Sequence, residues 1–376
     1  MFTRQYVQKY VDERRDMTIN KNVTRRDVAI KAGVSVSAVS RAINNSGYVE
    51  KEKKNRIIQI ANEMGYIPNP VAMALQQKKT YQLLFFCNDL TGGYFNQMYH
   101  GMAREAKKRG YHVLASLNIN DFSLVKKTLV DGILFQSESV AQDYAETIGR
   151  NYHVPTVAAS FQPACVYAKP MPSVIIDNNK IVNAMIDYLM EKGHRKIGMA
   201  LPFNDGYARD RFKYWRQRMM AEIGDECLNY ILDVNDECRH PKERIHSDLQ
   251  DYYCESDGFV YYDLAETGRK AATMYVESYQ KSTAVICFDD DMAVGMVAEL
   301  IKLGIRVPED LSVMGIDGVY TRNRHEPKLT TMGIFPDRQG AKCAEILINM
   351  IEGKKYKYIN YSPYGILEGE TVKALN

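Results

Sequence analysis

Residues 23–44 read VTRRDVAIKAGVSVSAVSRAIN, and this stretch decides how the first part of the chain folds. Thr24 offers a side-chain oxygen to the unpaired N–H groups of a helix start, and Val28, Ala29 and Ala32 share one face of the helix that follows. Gly33 permits a tight turn. Ser35 caps a second helix in which Val39 and Ile43, four residues apart, face inward. Val36, Ser37, Ser40 and Arg41 are left facing outward. Two short helices across a tight turn form a helix-turn-helix. Small outward side chains let the second helix enter the major groove of duplex DNA, where an arginine pairs with guanine or phosphate.

A third amphipathic helix is expected from Lys51 to Met64, with Ile57, Ile58 and Ala61 inward. The chain then runs GYIPNPVAMALQQKK over residues 65–79. Asn69 is a good N-cap, and Pro70 fits the first helical position, where its missing N–H costs nothing. A helix from Pro70 to about Lys78 is shorter than the ~12–15 residues an isolated helix needs in water. It is expected to form when something packs against it, and DNA together with a dimer mate would supply that packing.

These two motifs, at this spacing, resemble the head of the lac repressor (LacI/GalR) family of bacterial transcription regulators. The resemblance implies a DNA-binding regulator whose helix-turn-helix, residues 23–66, contacts DNA through Thr24, Ser35, Val36, Ser37, Ser40, Arg41 and Asn44. It implies that residues 67–79 are a hinge helix entering the minor groove at the centre of a palindromic operator, through Asn69, Val71, Ala72 and the wedge residue Leu75. Val36 stands where the family often has a larger or polar residue, which favours a thymine methyl contact. Residues 1–22 are an N-terminal extension whose first 16 residues precede the family's usual start, so Met17 is expected to be the initiator.

Charge agrees with this division. Residues 1–79 hold 15 lysines and arginines against 7 acidic residues, whereas the remainder holds 34 against 39. A basic head on a mildly acidic body is the footprint of phosphate binding. The 7 cysteines never form a Cys-x-x-Cys pair, no apolar run is long enough for a membrane span, and no signal peptide is evident. A reduced, cytoplasmic protein with no membrane attachment is expected.

From Thr80 onward, strand-length apolar runs alternate with helical patterns, the mark of α/β lobes with parallel sheets. Expected strands are Leu83 to Cys87, His112 to Leu117, Gly132 to Phe135 and Thr156 to Ala159, then Lys196 to Leu201, Tyr230 to Val234, Gly258 to Tyr262, Ala284 to Phe288 and Ser312 to Ile316. The segments DGIL (131–134), GHRKIG (193–198), FDDDMAVG (288–295), PEDLSVMGID (308–317) and PKLTT (327–331) are similar to family landmarks. They imply a two-lobed, periplasmic-binding-protein-like core crossed near Ser160, Met332 and Tyr361. The first lobe is then 80–160 plus about 333–360, and the second 161–332 plus about 361–376. The stretch between Leu117 and Gly132 holds only one short helix's worth of residues, less than the family usually carries.

Ligands of such sheets bind beyond the C-terminal strand ends. The resemblance implies that Arg211 grips effector hydroxyls or an acidic group, with Asp289 and Asp317 accepting hydrogen bonds. Phe161 and Trp215 offer ring faces to a sugar, although a lone tryptophan on a helix is more often core. Asp290 is expected to cap the helix after it; three successive aspartates on such a turn diverge, so no metal is expected. Tyr214, Gly318, Ile334 and Phe335 depart from the family pattern and point to a more apolar pocket.

The leading reading is a homodimeric repressor released from DNA by a small-molecule effector, a sugar or sugar derivative. The alternatives are a regulator strengthened by a purine or protein corepressor, and a solute-binding protein, which needs a signal peptide and no basic head. An enzyme is not expected, nor a cofactor: there is no Walker loop, Gly-x-Ser-x-Gly elbow or paired metal spacing. No heptad stretch follows Gly369, so a dimer is expected over a coiled-coil tetramer.

Overall fold

In the computed structural model, which describes residues 23–87, 90, 92–119, 121–148, 154–161, 171–202, 210–234 and 263–375, the chain divides into two units, Met1–Thr80 and Tyr81–Asn376. The N-terminal extension with Met17, the expected strand Gly258 to Tyr262, and Cys165, Cys238 and Cys254 lie outside the described residues. The other cysteines, Cys87, Cys227, Cys287 and Cys343, are buried.

The first unit contains α1 (Arg25–Ala32), α2 (Val36–Asn44), α3 (Lys51–Glu63) and α4 (Pro70–Gln77). Thr24 caps α1 through a reciprocal pair: its hydroxyl accepts from the Asp27 N–H at 3.3 Å, and its own N–H donates to the Asp27 carboxylate at 2.8 Å. Such a capping box is worth on the order of 1 kcal/mol. Gly33 takes φ 66°, the left-handed conformation that ends α1 at little cost, and Ser35 caps α2 by accepting from Ala38 N–H at 3.2 Å. Val28, Ala29, Ala32, Val39, Ala42, Ile57 and Ala61 form the core of this unit. Two inward assignments need correction. Ile58 is 37% exposed, because Ile57 and Ala61 set the buried face of α3 and Ile60 and Met64 flank it; Ile43 is only half-buried.

The second unit holds two sheets. The first lobe comprises β1 (Gln82–Phe86), α5 (Gly93–Lys107), β2 (His112–Ser116), α6 (Leu124–Lys127), β3 (Gly132–Phe135), α7 (Glu138–Ile148), β4 (Thr156–Ser160) and β5 (Ser173–Ile175). The chain then builds the second lobe: α8 (Asn178–Glu191), β6 (Ile197–Leu201), α9 (Asp210–Ile223), β7 (Ile231–Asp233), α10 (Leu264–Glu277), β8 (Ala284–Cys287), α11 (Asp290–Lys302), β9 (Ser312–Asp317) and β10 (Thr330–Gly333). It returns through α12 (Pro336–Ile351) and β11 (Ile359–Tyr361) and ends with β12 (Gly365–Leu367).

The sheet orders are β11-β5-β4-β3-β1-β2 and β12-β10-β9-β8-β6-β7, all neighbours parallel except β10 and β12. Strands β3, β4, β8 and β9 are buried throughout, which is why they read as unbroken apolar runs. β5 pairs with β4 and belongs to the first sheet, so the first crossing falls after Ile175, not near Ser160. The later crossings run from β10 into α12 and from β11 into β12, close to Met332 and Tyr361. Among the described residues between β2 and β3, the four-residue α6 is the one helix.

Candidate DNA-reading head and ligand cleft

Along α2 the side chains sort by exposure. Ser35, Val36, Ser37 and Arg41 are exposed, with Val36 at 46%, whereas Ser40 and Asn44 are half-buried. Ser40 and Asn44 are tied into the head: the Ser40 hydroxyl accepts from Arg25 at 3.5 Å and from Asn44 Nδ2 at 3.4 Å. The stem of Arg41 lies against Gly47, where a Cβ would come within 3.2 Å of it. The α2 face thus offers one long cation among short side chains, a shape that fits a groove.

In α4, Asn69 Oδ1 accepts from the Val71 and Ala72 N–H groups at 2.9 and 3.3 Å. Val71 and Leu75, one turn apart, are 53% and 71% exposed. Eight residues with an apolar stripe open to solvent make a helix that gains most of its stability from whatever covers that stripe.

In the core, Arg211 is held by several groups of the second lobe. It is 5% exposed; its Nε donates to Asn178 Oδ1 at 3.3 Å, its Nη1 donates to the Phe288 carbonyl, and its Nη2 lies 3.5 Å from Asp317. Its guanidinium also sits 4.9 Å from the Phe288 ring centroid. Asn178 Nδ2 donates in turn to the Phe161 carbonyl at 3.0 Å, and the Phe161 N–H donates to Glu138 at 2.9 Å. Tyr94, from the first lobe, lies 5.7 Å from the Phe161 ring, and its hydroxyl donates to Gln339 at 2.6 Å. The Tyr94 hydroxyl is pushed well above its ordinary range by burial, with Asp317 adding to the rise.

Asp317 adopts φ 128° at the end of β9. A non-glycine residue there is strained by on the order of 1–3 kcal/mol, and such strain concentrates at binding sites. The neighbouring turn holds it: Asp290 accepts from the Val319 N–H at 2.9 Å and from the Thr331 hydroxyl. The helix cap is Asp289, which accepts from the Met292 N–H at 2.8 Å; the cap expected of Asp290 is therefore corrected. The extended backbone at Asp289 turns its carboxylate onto the helix start, while the Asp290 side chain points into the core.

Burial raises Asp289, Asp290 and Asp317 above the usual carboxylate range, and for Asp317 it outweighs the opposing pull of Arg211. The folded core holds these protons more tightly than the unfolded chain does. Its stability therefore falls as pH rises from the ordinary carboxylate range through neutrality. Thermal melts across that interval should show a declining midpoint, and Asp290→Asn, which stays neutral, should flatten the decline. A midpoint that climbs over the same interval would contradict the assignment.

Trp215 needs the other correction. It is fully enclosed, 5.8 Å from the Phe212 ring in a stacked arrangement, and packs in the second-lobe core among Met185, Met199 and Met219. Its side of α9 faces the sheet, so it presents no open ring face. Phe161, half-buried beside Tyr94, does line the space between the lobes.

Residues 24–69 match the family described as bacterial regulatory proteins, lacI family. Residues 80–237 match periplasmic binding proteins and sugar binding domain of LacI family, and residues 186–372 match a periplasmic binding protein-like domain. The chain belongs to the LacI family of bacterial regulatory proteins. Among LacI-family relatives, it is 28% identical over 365 residues to the HTH-type transcriptional repressor PurR of Vibrio atlanticus, covering 94% of this chain and 99% of that one. It is 27% identical over 338 residues to the repressor CytR of Escherichia coli, covering 88% and 90%. A lac repressor dimer bound to operator and the anti-inducer ONPF shares the fold, with TM-score 0.71 and 20% identity over 94% of this chain and all of that one.

The structure brings Arg211, Asp317, Asp289 and Phe161 toward one another and adds residues that the LacI resemblance had not singled out: Tyr94, Glu138, Asn178 and Phe288. Tyr94 and Glu138 follow β1 and β3 of the first lobe. The rule that ligands sit beyond C-terminal strand ends applies to both lobes, and applied to the first it points to both residues. No helix among the described residues is long and apolar enough to cross a membrane.

Proposed function

We infer that this chain is a transcriptional repressor that binds a palindromic operator duplex as a homodimer and is released when a small polyhydroxylated ligand, a sugar or sugar derivative, closes the space around Arg211. One observation carries the reading. A head with an exposed α2 face occurs in the same chain as a two-lobed core whose buried arginine is bonded to Asn178, and Asn178 is linked through Phe161 to Glu138 of the first lobe. The repressor names of the relatives and the operator in the lac repressor dimer support the DNA half. The ligand half rests on polarity: the N–H groups of Arg211 stand beside the carboxyl groups of Asp289 and Asp317, a mixture of donors and acceptors that suits a ligand rich in hydroxyls.

A half-site head needs a partner, and two-fold symmetry matches a palindrome. The exposed Val71 and Leu75 of α4 are the surfaces that a minor groove and a second α4 would cover. Ligand binding lowers operator affinity by the difference in its affinity for the two lobe arrangements. Selecting operators from random duplexes, then adding sugars and purines to the complex, tests the reading. Release by a sugar supports it; tightening by a purine favours a corepressor instead.

Arg41→Ala should weaken operator binding by about 1–3 kcal/mol and relax discrimination at one base position, as loss of a bidentate base contact does. Unchanged discrimination in a binding-selection assay would remove Arg41 from base reading. Raising salt should weaken the wild-type complex steeply.

A further inference from the structure

Away from the space around Arg211, a depression of about 440 Å³ opens at the β11 edge of the first lobe. It is walled by α12, by β11 and by the following segment that crosses to the second lobe, with Val174 of β5. Among the described residues its charged lining is Arg338, Lys342 and Lys357, with no carboxylate. Lys342 is paired with Glu345 at 2.9 Å. Among the described residues, Arg338 and Lys357 have no acidic partner; the Arg338 guanidinium rests on the Phe335 ring at 4.4 Å, which holds its fork in place. Tyr361, 60% exposed, adds a flat ring to the same wall, with Lys180 of the second lobe 5.5 Å from its centroid.

We propose that the depression formed by Arg338, Lys342, Lys357 and Tyr361 binds a small phosphomonoester, its phosphate on the cations and its ring on Tyr361. A phosphate carries about −1.5 to −2 charges at neutral pH and accepts two parallel hydrogen bonds from a guanidinium. A single carboxylate would leave most of this positive lining unmatched. The volume lies in the range of roughly 300–1,000 Å³ common to small-molecule sites. Ser362 and Pro363 of the last crossing between the lobes help wall it, so an occupant biases the lobe arrangement without entering the space around Arg211. The proposal does not rest on the sugar reading of that space.

Calorimetric titration of the full chain tests it, with inorganic phosphate, a hexose monophosphate and a nucleoside monophosphate as probes. At least one ester should bind below millimolar concentration, more tightly than inorganic phosphate. Combining Arg338→Ala with Lys357→Ala should weaken it at least about tenfold, while Arg211→Lys leaves it within about threefold. Arg338→Lys should recover only part of the loss, since a point charge lacks the fork. Both residues are exposed, so the double variant should melt as the wild type does. Failure of every probe to bind below millimolar overturns the proposal, as does an ester whose binding Arg211→Lys abolishes and the double variant spares.

Discussion

Arg211→Lys should weaken ligand binding between the lobes by about 100-fold while leaving operator affinity in the absence of ligand within about twofold. The guanidinium spreads its donors over Asn178, the Phe288 carbonyl and Asp317, and a lysine ammonium on a shorter reach satisfies one of them at most. A ligand that meets the remaining N–H groups of the guanidinium then loses up to two charge-assisted hydrogen bonds, each worth about 1.5–3 kcal/mol where water is excluded. Lysine is the informative substitution because it keeps the positive charge. Arg211→Met would leave Asp317 buried and unpaired, and any loss of binding would be mixed with a loss of stability. The lysine variant should therefore repress normally and fail to be induced. Normal induction at ordinary ligand concentration would show that the ligand does not engage Arg211.

The second large effect is on folding. Gly101 of α5 and Gly340 of α12 meet where those helices cross: a Cβ on Gly101 would lie 1.9 Å from the Asp337 carbonyl oxygen, and one on Gly340 would lie 2.1 Å from that of Met98. Both obstacles are backbone, which cannot step aside as a flexible side chain can. Gly101→Ala must push the helices apart and open the packing of Met98, Met102, Cys343 and Leu347. Overpacking of this kind costs about 1–3 kcal/mol in ordinary cores, and a backbone clash belongs at or above the upper end. Chemical denaturation should show a loss of about 3 kcal/mol or more, with the head unit unaffected. A loss below about 1 kcal/mol would mean that the helices sit farther apart.

The two glycines illustrate what the residues disclosed in advance and what they did not. In the head, local rules sufficed: Thr24, Gly33, Ser35, Asn69 and Pro70 each act within three or four residues, and each adopts its expected role. The buried strands were equally plain, because a parallel sheet covered on both faces writes itself as runs such as Leu83 to Phe86. β5, β10, β11 and β12 did not announce themselves: they are short, β10 opens on two threonines, and β11 has an exposed Ile359 and Tyr361. Long-range approach was hidden too. Nothing near Gly101 or Gly340 in the chain signals the other, and nothing near Asp290 signals Thr331.

The ligand site was half legible for the same reason. Arg211, Asp289 and Asp317 lie in segments that carry the family pattern, whereas Asn178 matters because it bonds Arg211 and Phe161, and Glu138 because it bonds Phe161. Trp215 misled because composition and helix position do not reveal which side of α9 meets the sheet. Asp289 and Asp290 exchanged roles over a single residue, a difference set by the backbone turn after β8 and not by residue type.

The most direct test of a ligand-gated repressor is the operator affinity of the full chain, measured by anisotropy of a labelled selected operator with and without a sugar that saturates the core. Saturation should raise the dissociation constant at least tenfold, a coupling of about 1.4 kcal/mol or more, and Arg211→Lys should abolish the shift at the same sugar concentration. An operator affinity that stays the same when the core is saturated would contradict the coupling of head and cleft.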